Sequence, residues 1–153
     1  MTDTTEITNP KYLFANTYNN LIQAVSLAVT QSYKIRFSDE QQFFLADSDG
    51  FVRIYDFDSS TYTPVAEQFC HYEAVKAFEI FTDAGVLLTG ARDGTVKLWD
   101  LQQFGYKGTL IGATDQTVAA DYSKSRDLIA VASWDTNVRL YKLSDLPKLP
   151  RAH

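Results

Sequence analysis

Cysteine and clustered positive charge are what this sequence most clearly lacks. Cys70 is the single cysteine among 153 residues, which excludes an internal disulfide framework and favours a reducing compartment. We therefore expect an intracellular protein, cytoplasmic or nuclear. The 14 lysine and arginine residues are scattered and are outnumbered by 19 aspartate and glutamate residues, for a net charge of −5. Direct nucleic-acid binding needs a basic footprint, so we predict no direct nucleic-acid partner.

Long hydrophobic runs are also missing. No segment approaches the roughly 20 apolar residues that a bilayer-spanning helix needs, so we predict no membrane insertion. The first residues, MTDTTEITNPKY, are polar and acidic, unlike a secretory signal or an arginine-rich transit peptide. The length predicts one domain or less.

Short apolar runs separated by turn-forming residues are what the sequence does contain. Aromatic residues make up 14% of the chain, and glycine, asparagine, aspartate and serine recur between runs of valine, isoleucine, leucine, phenylalanine and tyrosine. This mixture favours β-strands over helices. We therefore predict an all-β fold.

A repeat with a period of about 43 residues organises these runs. Its three copies are SYKIRFSDEQQFFLADSDGFVRIYDF, EAVKAFEIFTDAGVLLTGARDGTVKLWDL and QTVAADYSKSRDLIAVASWDTNVRLYKL. Each copy has an anchor aspartate followed six residues later by an aromatic residue. These pairs are Asp49 and Tyr55, Asp93 and Trp99, and Asp135 and Tyr141.

Each copy has the pattern of three strands. The first strand alternates apolar and polar residues and is followed by a polar turn. The second strand is nearly continuously apolar, which predicts burial on both faces. An Asp-Gly or Asp-Thr turn typical of a hairpin then leads to a third strand that again alternates. A weaker apolar segment precedes each triplet and predicts a fourth, outer strand, at 21–29, 63–69 and 106–111. The predicted organisation is a tail or remnant strand at 1–19, repeats at about 20–57, 62–101 and 106–143, and a stub at 144–153.

Four strands per period, ending in an aromatic residue and aspartate, resemble the WD40 family of β-propellers. The middle copy, VLLTGARDGTVKLWDL, carries the resemblance best. The resemblance implies WD40-type blades made of three four-stranded antiparallel repeats. Closed rings have typically 4–8 blades, so three repeats predict a partial propeller.

The resemblance also implies a structural clamp in the middle repeat, formed by His71, Thr89, Asp93 and Trp99. Buried imidazole, hydroxyl and indole N–H groups need partners, and a chain of hydrogen bonds supplies them. The outer repeats lack the hydroxyl and the tryptophan, so we expect no such clamp there. The replacing residues are Leu45 and Val131, and Tyr55 and Tyr141.

Two ways of completing the ring are open at this stage. In one, the chain is a portion of a larger propeller; the ending KLPRAH places His153 near the start of a fourth repeat, in register with His71. In the other, two copies form six blades in a two-fold arrangement, with residues 21–29 of each copy closing the last blade of the other. Residues 10–16 are either a remnant strand of a preceding blade or an ordered tail.

No motif in the chain indicates catalysis, a metal or a cofactor. His71 and Asp93 fit the clamp better than an acid–base pair, and Cys70 next to His71 in an extended segment points to the opposite side. Asp47, Asp49 and Asp93 lie in separate turns without the spacing of a calcium loop. We predict a non-enzyme; a hydrolytic propeller would need acidic residues converging on the central channel.

The resemblance implies a rigid scaffold that binds protein partners, among them another propeller portion or a second copy of the chain. Candidate contacts lie in the loops before the first strands and in the turns between the second and third strands. They are Tyr72, Glu73, Asp115, Ser48, Arg92 and Trp134. Trp134 stands where the other copies have serine and arginine, and both partner recognition and packing on a neighbouring blade remain open for it.

Overall fold

The computed structural model describes residues 31–37, 41–57 and 63–146, and these contain eleven β-strands and no α-helix. No helix in this part of the chain is long and apolar enough to cross a membrane. The strands are β1 (Ser32–Phe37), β2 (Gln42–Asp47), β3 (Phe51–Asp56), β4 (Ala66–Phe69), β5 (Val75–Phe81), β6 (Val86–Ala91), β7 (Val96–Asp100), β8 (Tyr106–Leu110), β9 (Thr117–Ser123), β10 (Leu128–Ser133) and β11 (Val138–Lys142).

The strands form three antiparallel sheets, here called blades I, II and III. Their strand orders are β1-β2-β3-β4, β5-β6-β7-β8 and β9-β10-β11. The first strands contact one another from blade to blade, as expected for a stack that fans out from an axis. The predicted all-β, unclosed array of antiparallel blades is confirmed, with three strands described for blade III. The segment 21–29 lies outside the described residues, as do the tail 1–19 and the end of the stub.

The boundaries of the sequence repeats and the boundaries of the sheets differ by one strand. The weak apolar segments that precede the second and third triplets pair backwards: β4 is hydrogen-bonded to β3, and β8 to β7. Each of these strands therefore completes the sheet of the preceding triplet. This offset links consecutive repeats, because one repeat cannot be removed without opening its neighbour's sheet.

The anchor aspartates stabilise the turn between the second and third strands of each blade. In every copy the carboxylate accepts a hydrogen bond from the backbone N–H two residues later, at 3.1 Å for Asp49, 2.8 Å for Asp93 and 3.0 Å for Asp135. This Asx turn presets the chain reversal. The residue directly after the anchor aspartate has a positive φ, which glycine adopts readily. In blade III this residue is Thr136, which has a φ of 73°.

The hydrophobic core lies between blades rather than inside any one sheet. Between blades I and II it contains Phe44, Val52, Phe78, Leu87 and Trp99. Between blades II and III it contains Leu88, Val96, Leu98, Ile129 and Val131. Every residue of β6 is buried, because blades cover both of its faces, whereas buried and partly buried residues alternate through most of β10.

Candidate partner-binding face and the clamp beneath it

A chain of hydrogen bonds connects the loop before blade II to the middle of its sheet. His71 lies in the link between β4 and β5 and is buried. Its Nε2 is 2.8 Å from Thr89 Oγ1 in β6, and the indole Nε1 of Trp99 in β7 donates to the same oxygen at 2.8 Å. The link and two strands thus meet at one hydroxyl.

Asp93 reaches His71 only through a fifth residue, Thr95, which the sequence analysis did not single out. Thr95 Oγ1 donates to Asp93 Oδ1 at 2.6 Å and lies 2.9 Å from His71 Nδ1. The sequence feature that could have identified Thr95 is a hydroxyl residue two positions after the anchor aspartate, where the other copies have Phe51 and Asn137.

The bond directions assign one tautomer to His71. The Thr95 hydroxyl hydrogen is given to Asp93, so Thr95 must accept the Nδ1–H of His71. Nε2 then accepts the hydrogen of Thr89, whose oxygen takes the Trp99 N–H. Every donor in this chain has an acceptor only when the imidazole is neutral.

The pKa of His71 agrees with that assignment. Burial lowers it, the nearby Lys97 ammonium lowers it further, and Asp93 raises it in part, leaving a pKa of about 4. The unfolded chain takes up a proton near pH 6.5, whereas the folded chain does not until about pH 4. Stability is therefore present in full above pH 6.5 and is lost as the pH falls toward 4.

We expect the free energy of unfolding to drop on the order of 2 kcal/mol between pH 7.5 and pH 5 through this residue. Urea titrations at a series of pH values measure it. His71→Gln should flatten the dependence over this range, while His153→Gln should leave it unchanged. A steep dependence that persists in His71→Gln would assign it to another group.

Thr89→Val tests the central hydroxyl. Valine has the shape of threonine but leaves the Trp99 N–H and the His71 Nε2 without partners in a buried place, so we expect a loss of about 2 to 3 kcal/mol. Thr89→Ser keeps the hydroxyl and should lose about 1 kcal/mol for the missing methyl group. Equal losses in chemical denaturation would show that the hydroxyl contributes nothing.

Blade I uses ion pairs where blade II uses the clamp. Arg53 in β3 donates to Asp47 at 2.6 Å, to Asp49 at 2.8 Å and to Glu67 of β4 at 3.1 Å. Asp47 is fully buried, so the guanidinium compensates a carboxylate that water does not reach. The arginine therefore connects the turn, the third strand and the outer strand of the blade.

Blade III has a smaller version of the same arrangement. Arg139 pairs with Asp135 at 2.7 Å, and this guanidinium lowers the pKa of the carboxyl. Asp135 also accepts the backbone N–H of Thr114 at 2.9 Å, while the Tyr141 hydroxyl donates to the carbonyl of Ile111 at 2.8 Å. Both bonds attach the link from blade II to the third blade.

One face of the molecule is formed by the turns 48–50, 92–94 and 134–136 together with the links 70–74 and 111–116; we call it the turn face. Backbone hydrogen bonds join turns to links, among them Arg92 N–H to the Ala74 carbonyl at 3.2 Å and Trp134 N–H to the Gln116 carbonyl at 2.9 Å. All six residues proposed from the sequence as partner contacts lie on the turn face.

Three of those six residues line one open groove between blades I and II. Its volume is about 600 Å³, and its walls are Ser48, Glu73, Ala74 and Arg92. Glu73 and Arg92 are exposed, and neither forms an ion pair with another described residue. The groove therefore presents one carboxylate and one guanidinium that no described residue neutralises in an ion pair.

The other three candidates lie elsewhere on the same face. Tyr72 is exposed beside the groove and packs edge-on against Phe69, with ring centroids 5.0 Å apart. Asp115 is exposed and accepts the N–H of Gln116. The Trp134 side chain is 64% exposed. Their roles in binding remain predictions.

The side chains most capable of catalysis are buried or already hydrogen-bonded within the fold. Cys70 is buried, and burial raises the pKa of its thiol to about 12, so the nucleophilic thiolate does not form at neutral pH. Both ring nitrogens of His71 are hydrogen-bonded within the clamp. No group of three potential metal ligands occurs in residues 31–37, 41–57 and 63–146.

Blades of antiparallel strands that fan out from an axis, interlocked by backward-pairing outer strands, define a β-propeller portion. The family model described as "WD domain, G-beta repeat" matches residues 62–100 and 105–142, about half of the chain. The chain belongs to this family.

Curated relatives match part of the chain. The ribosome biogenesis protein WDR12 homolog of Drosophila virilis is 42% identical over 84 residues, and that of Drosophila erecta 43%. The matched segment covers 55% of this chain and 20% of either relative, so the chain spans about a fifth of the length of the proteins it resembles.

Solved structures share the fold. The crystal structure of RRP9 WD40 repeats superposes with a TM-score of 0.69 at 16% identity, covering 80% of this chain and 38% of that one. The structure of U3-55K gives a TM-score of 0.70 at 15% identity, covering 80% and 39%.

Proposed function

We propose that this chain is a non-catalytic scaffold that binds a protein partner through its turn face. One observation carries the proposal: the groove between blades I and II places Glu73 and Arg92, neither in an ion pair with a described residue, beside exposed Tyr72. Arginine and tyrosine are enriched among residues that dominate binding energy. A groove with charges of both signs favours a partner segment that also carries both.

The biological setting that we propose is ribosome biogenesis, in the nucleus or nucleolus. It is supported by the WDR12 homologs, which are ribosome biogenesis proteins and are about two fifths identical to this chain over the 84 aligned residues. The net charge of −5 supports contact with the protein components of such an assembly rather than with its RNA. The inert thiol and the occupied imidazole support a binding role over an enzymatic one.

Co-sedimentation tests the scaffold role. The tagged chain is expressed in Drosophila cells, and its share in pre-ribosomal fractions of a sucrose gradient is measured. Arg92→Glu should reduce that share several-fold, because it reverses the charge in the groove. Arg126→Glu is the matched control: Arg126 is also exposed but lies in the turn between β9 and β10, at the opposite end of the strands.

The co-sedimentation of the two variants distinguishes binding through the turn face from the alternatives. Loss of co-sedimentation in Arg92→Glu but not in Arg126→Glu supports the turn face. Equal behaviour of the two variants contradicts it. Sedimentation that disappears after mild nuclease treatment, with the protein components still assembled, would contradict a protein partner and indicate direct RNA contact.

Trp134→Ala separates recognition from packing for the exposed indole. At 64% exposure we expect the free energy of unfolding to stay within about 0.5 kcal/mol of the parent chain, while the share in the pre-ribosomal fractions falls. Thermal unfolding measures the first quantity. A large drop in the melting temperature would assign Trp134 to packing and remove it from the binding face.

A second candidate function is self-assembly into a closed ring. It is favoured by a specific observation, the exposed apolar side chains Val138 and Leu140 on blade III and Ile35 and Phe37 on blade I. These four residues lie on the first and the last of the three described blades.

A further inference from the structure

The two links between blades occupy equivalent places on the turn face. Gly50, the turn glycine of blade I, lies so close to the first link that a Cβ on it would be 3.1 Å from the carbonyl oxygen of Glu73. Gly94, the turn glycine of blade II, approaches the second link in the same way, and a Cβ on it would be 2.9 Å from the carbonyl oxygen of Asp115. Glu73 and Asp115 therefore stand at matching positions, one at each interface between blades.

The turn of each following blade lies against the same link. Arg92 donates its backbone N–H to the Ala74 carbonyl at 3.2 Å, and Trp134 donates its backbone N–H to the Gln116 carbonyl at 2.9 Å. Turns and links therefore alternate across the turn face. The side chains that they present form one row, in the order Ser48, Glu73, Arg92, Asp115 and Trp134.

Charge alternates along this row. Glu73, Arg92 and Asp115 are exposed, and none of them forms an ion pair with another described residue. The groove between blades I and II covers the first half of the row, and Arg92 belongs to both halves. A guanidinium thus lies between two carboxylates, all three without an ion-pair partner in the described part of the chain.

An exposed aromatic ring accompanies each carboxylate. Tyr72 directly precedes Glu73 and is 90% exposed. Trp134, which is 64% exposed, lies in the turn that is hydrogen-bonded to the link of Asp115. A carboxylate and the face of an aromatic ring both attract a cation, so each of these two places suits a lysine or arginine side chain. The guanidinium of Arg92 between them repels a cation and suits a carboxylate.

The spacing of the two carboxylates favours one conformation of the partner. Packed sheets lie about 10 Å apart, and Glu73 and Asp115 stand one blade apart. In a polyproline II segment, residues three apart point to the same side and lie about 9 Å from each other. In a β-strand, the residues on one side are two or four apart, at about 7 or 13 Å. The three-residue spacing of polyproline II therefore fits the row better.

We infer that the turn face binds a polyproline II segment of a protein partner that has two basic residues three positions apart and an acidic residue between them. The first basic side chain meets Glu73 and Tyr72. The second meets Asp115 and Trp134, and the acidic side chain meets Arg92. This inference rests on the proposed function and specifies the chemistry of its partner. The two carboxylates disfavour RNA at the same place, because its phosphates carry the same charge.

Labelled peptides test the pattern by fluorescence anisotropy on the full chain. The fitting probe is Gly-Lys-Glu-Pro-Lys-Gly, whose proline favours the polyproline II conformation. The permuted probe, Gly-Lys-Lys-Pro-Glu-Gly, has the same composition and net charge but a different order. The fitting probe should bind about fivefold more tightly, as expected for partly exposed charge pairs. A probe with a second proline, Gly-Lys-Glu-Pro-Pro-Lys-Gly, should bind more weakly than the fitting probe, because its second lysine is out of register.

Charge reversal at the centre of the row is the decisive comparison. Arg92→Glu should bind the fitting probe about fivefold more weakly than the parent chain does. The same variant should bind Gly-Lys-Lys-Pro-Lys-Gly, in which lysine replaces the glutamate, more tightly than the parent does. Arg126→Glu changes the net charge equally at the opposite end of the strands and should alter neither affinity.

Several results would overturn the inference. They are equal binding of the fitting and permuted probes, no binding of either, equal responses to Arg92→Glu and Arg126→Glu, and tighter binding of an oligouridine than of the fitting probe. If the probes show no preference while Arg92→Glu still loses co-sedimentation, the turn face stands and only the charge pattern is wrong. If the probes follow the pattern while Arg92→Glu co-sediments as Arg126→Glu does, the binding site stands and its proposed role in pre-ribosomal particles is wrong.

Discussion

Replacing Gly50 with alanine should destabilise the fold by about 3 to 5 kcal/mol. A Cβ at this position would lie 1.7 Å from the backbone carbonyl oxygen of His71 and 3.1 Å from that of Glu73, so the backbone itself has to move. The shift would also break the hydrogen bonds that the Gly50 carbonyl accepts from the N–H groups of Cys70 and His71, at 2.9 and 3.1 Å. Urea denaturation followed by circular dichroism measures the loss.

Gly85→Ala is the matched control. Gly85 also has a positive φ, of 63°, but a Cβ there meets nothing within 4 Å, so only the backbone strain of about 1 kcal/mol applies. Thr136 shows that the chain tolerates this strain, since it has φ 73° with a branched side chain. If both alanine variants lost the same stability, the close approach of the link at 71–73 would not be the cause.

Replacing Arg53 with methionine should cost about 3 to 5 kcal/mol, because it leaves the buried carboxylate of Asp47 without its guanidinium. The Arg53–Asp47 distance is 2.6 Å, and the Asp47 side chain is 1% exposed. Methionine keeps much of the aliphatic stem, so the loss reports the charge rather than the packing. The comparison is made by chemical denaturation at pH 7.

Two variants test the explanation for Arg53. Arg36→Met removes a more exposed ion pair, that with Glu79, and should cost at most about 1 kcal/mol. Adding Asp47→Asn to Arg53→Met should recover part of the loss, because the buried group is then neutral. A double variant less stable than Arg53→Met alone would show that Asp47 is stabilised independently of the arginine.

The blades were predictable from the sequence because their signals are local. An anchor aspartate such as Asp93 forms its Asx turn with the backbone two residues later, and alternating or continuous apolar runs reflect how many faces of a strand are covered. The clamp residues His71, Thr89 and Trp99 were predictable for a different reason, because the resemblance of the middle repeat to WD40 repeats implied them.

Contacts between loops were not predictable in the same way. Thr95 was missed because its hydroxyl matters only once His71, 24 residues earlier, lies 2.9 Å away. The groove at Ser48, Glu73 and Arg92 was missed as a cavity, although its residues were proposed one by one, because its shape depends on how blades I and II pack. The backward pairing of β4 and β8 likewise depends on the path of the chain between blades.

The sequence by itself determined the number of repeats, the order of strands within each and the residues that face a neighbouring blade, because these follow from turn chemistry and apolar spacing. Only the tertiary structure decided which of those faces are covered. Val96 and Val138 are the same residue type at equivalent places in the repeat, yet one is 2% and the other 67% exposed. The physical reason is that burial requires two packed blades, and among the described residues blade III is covered by a neighbouring blade on one side only.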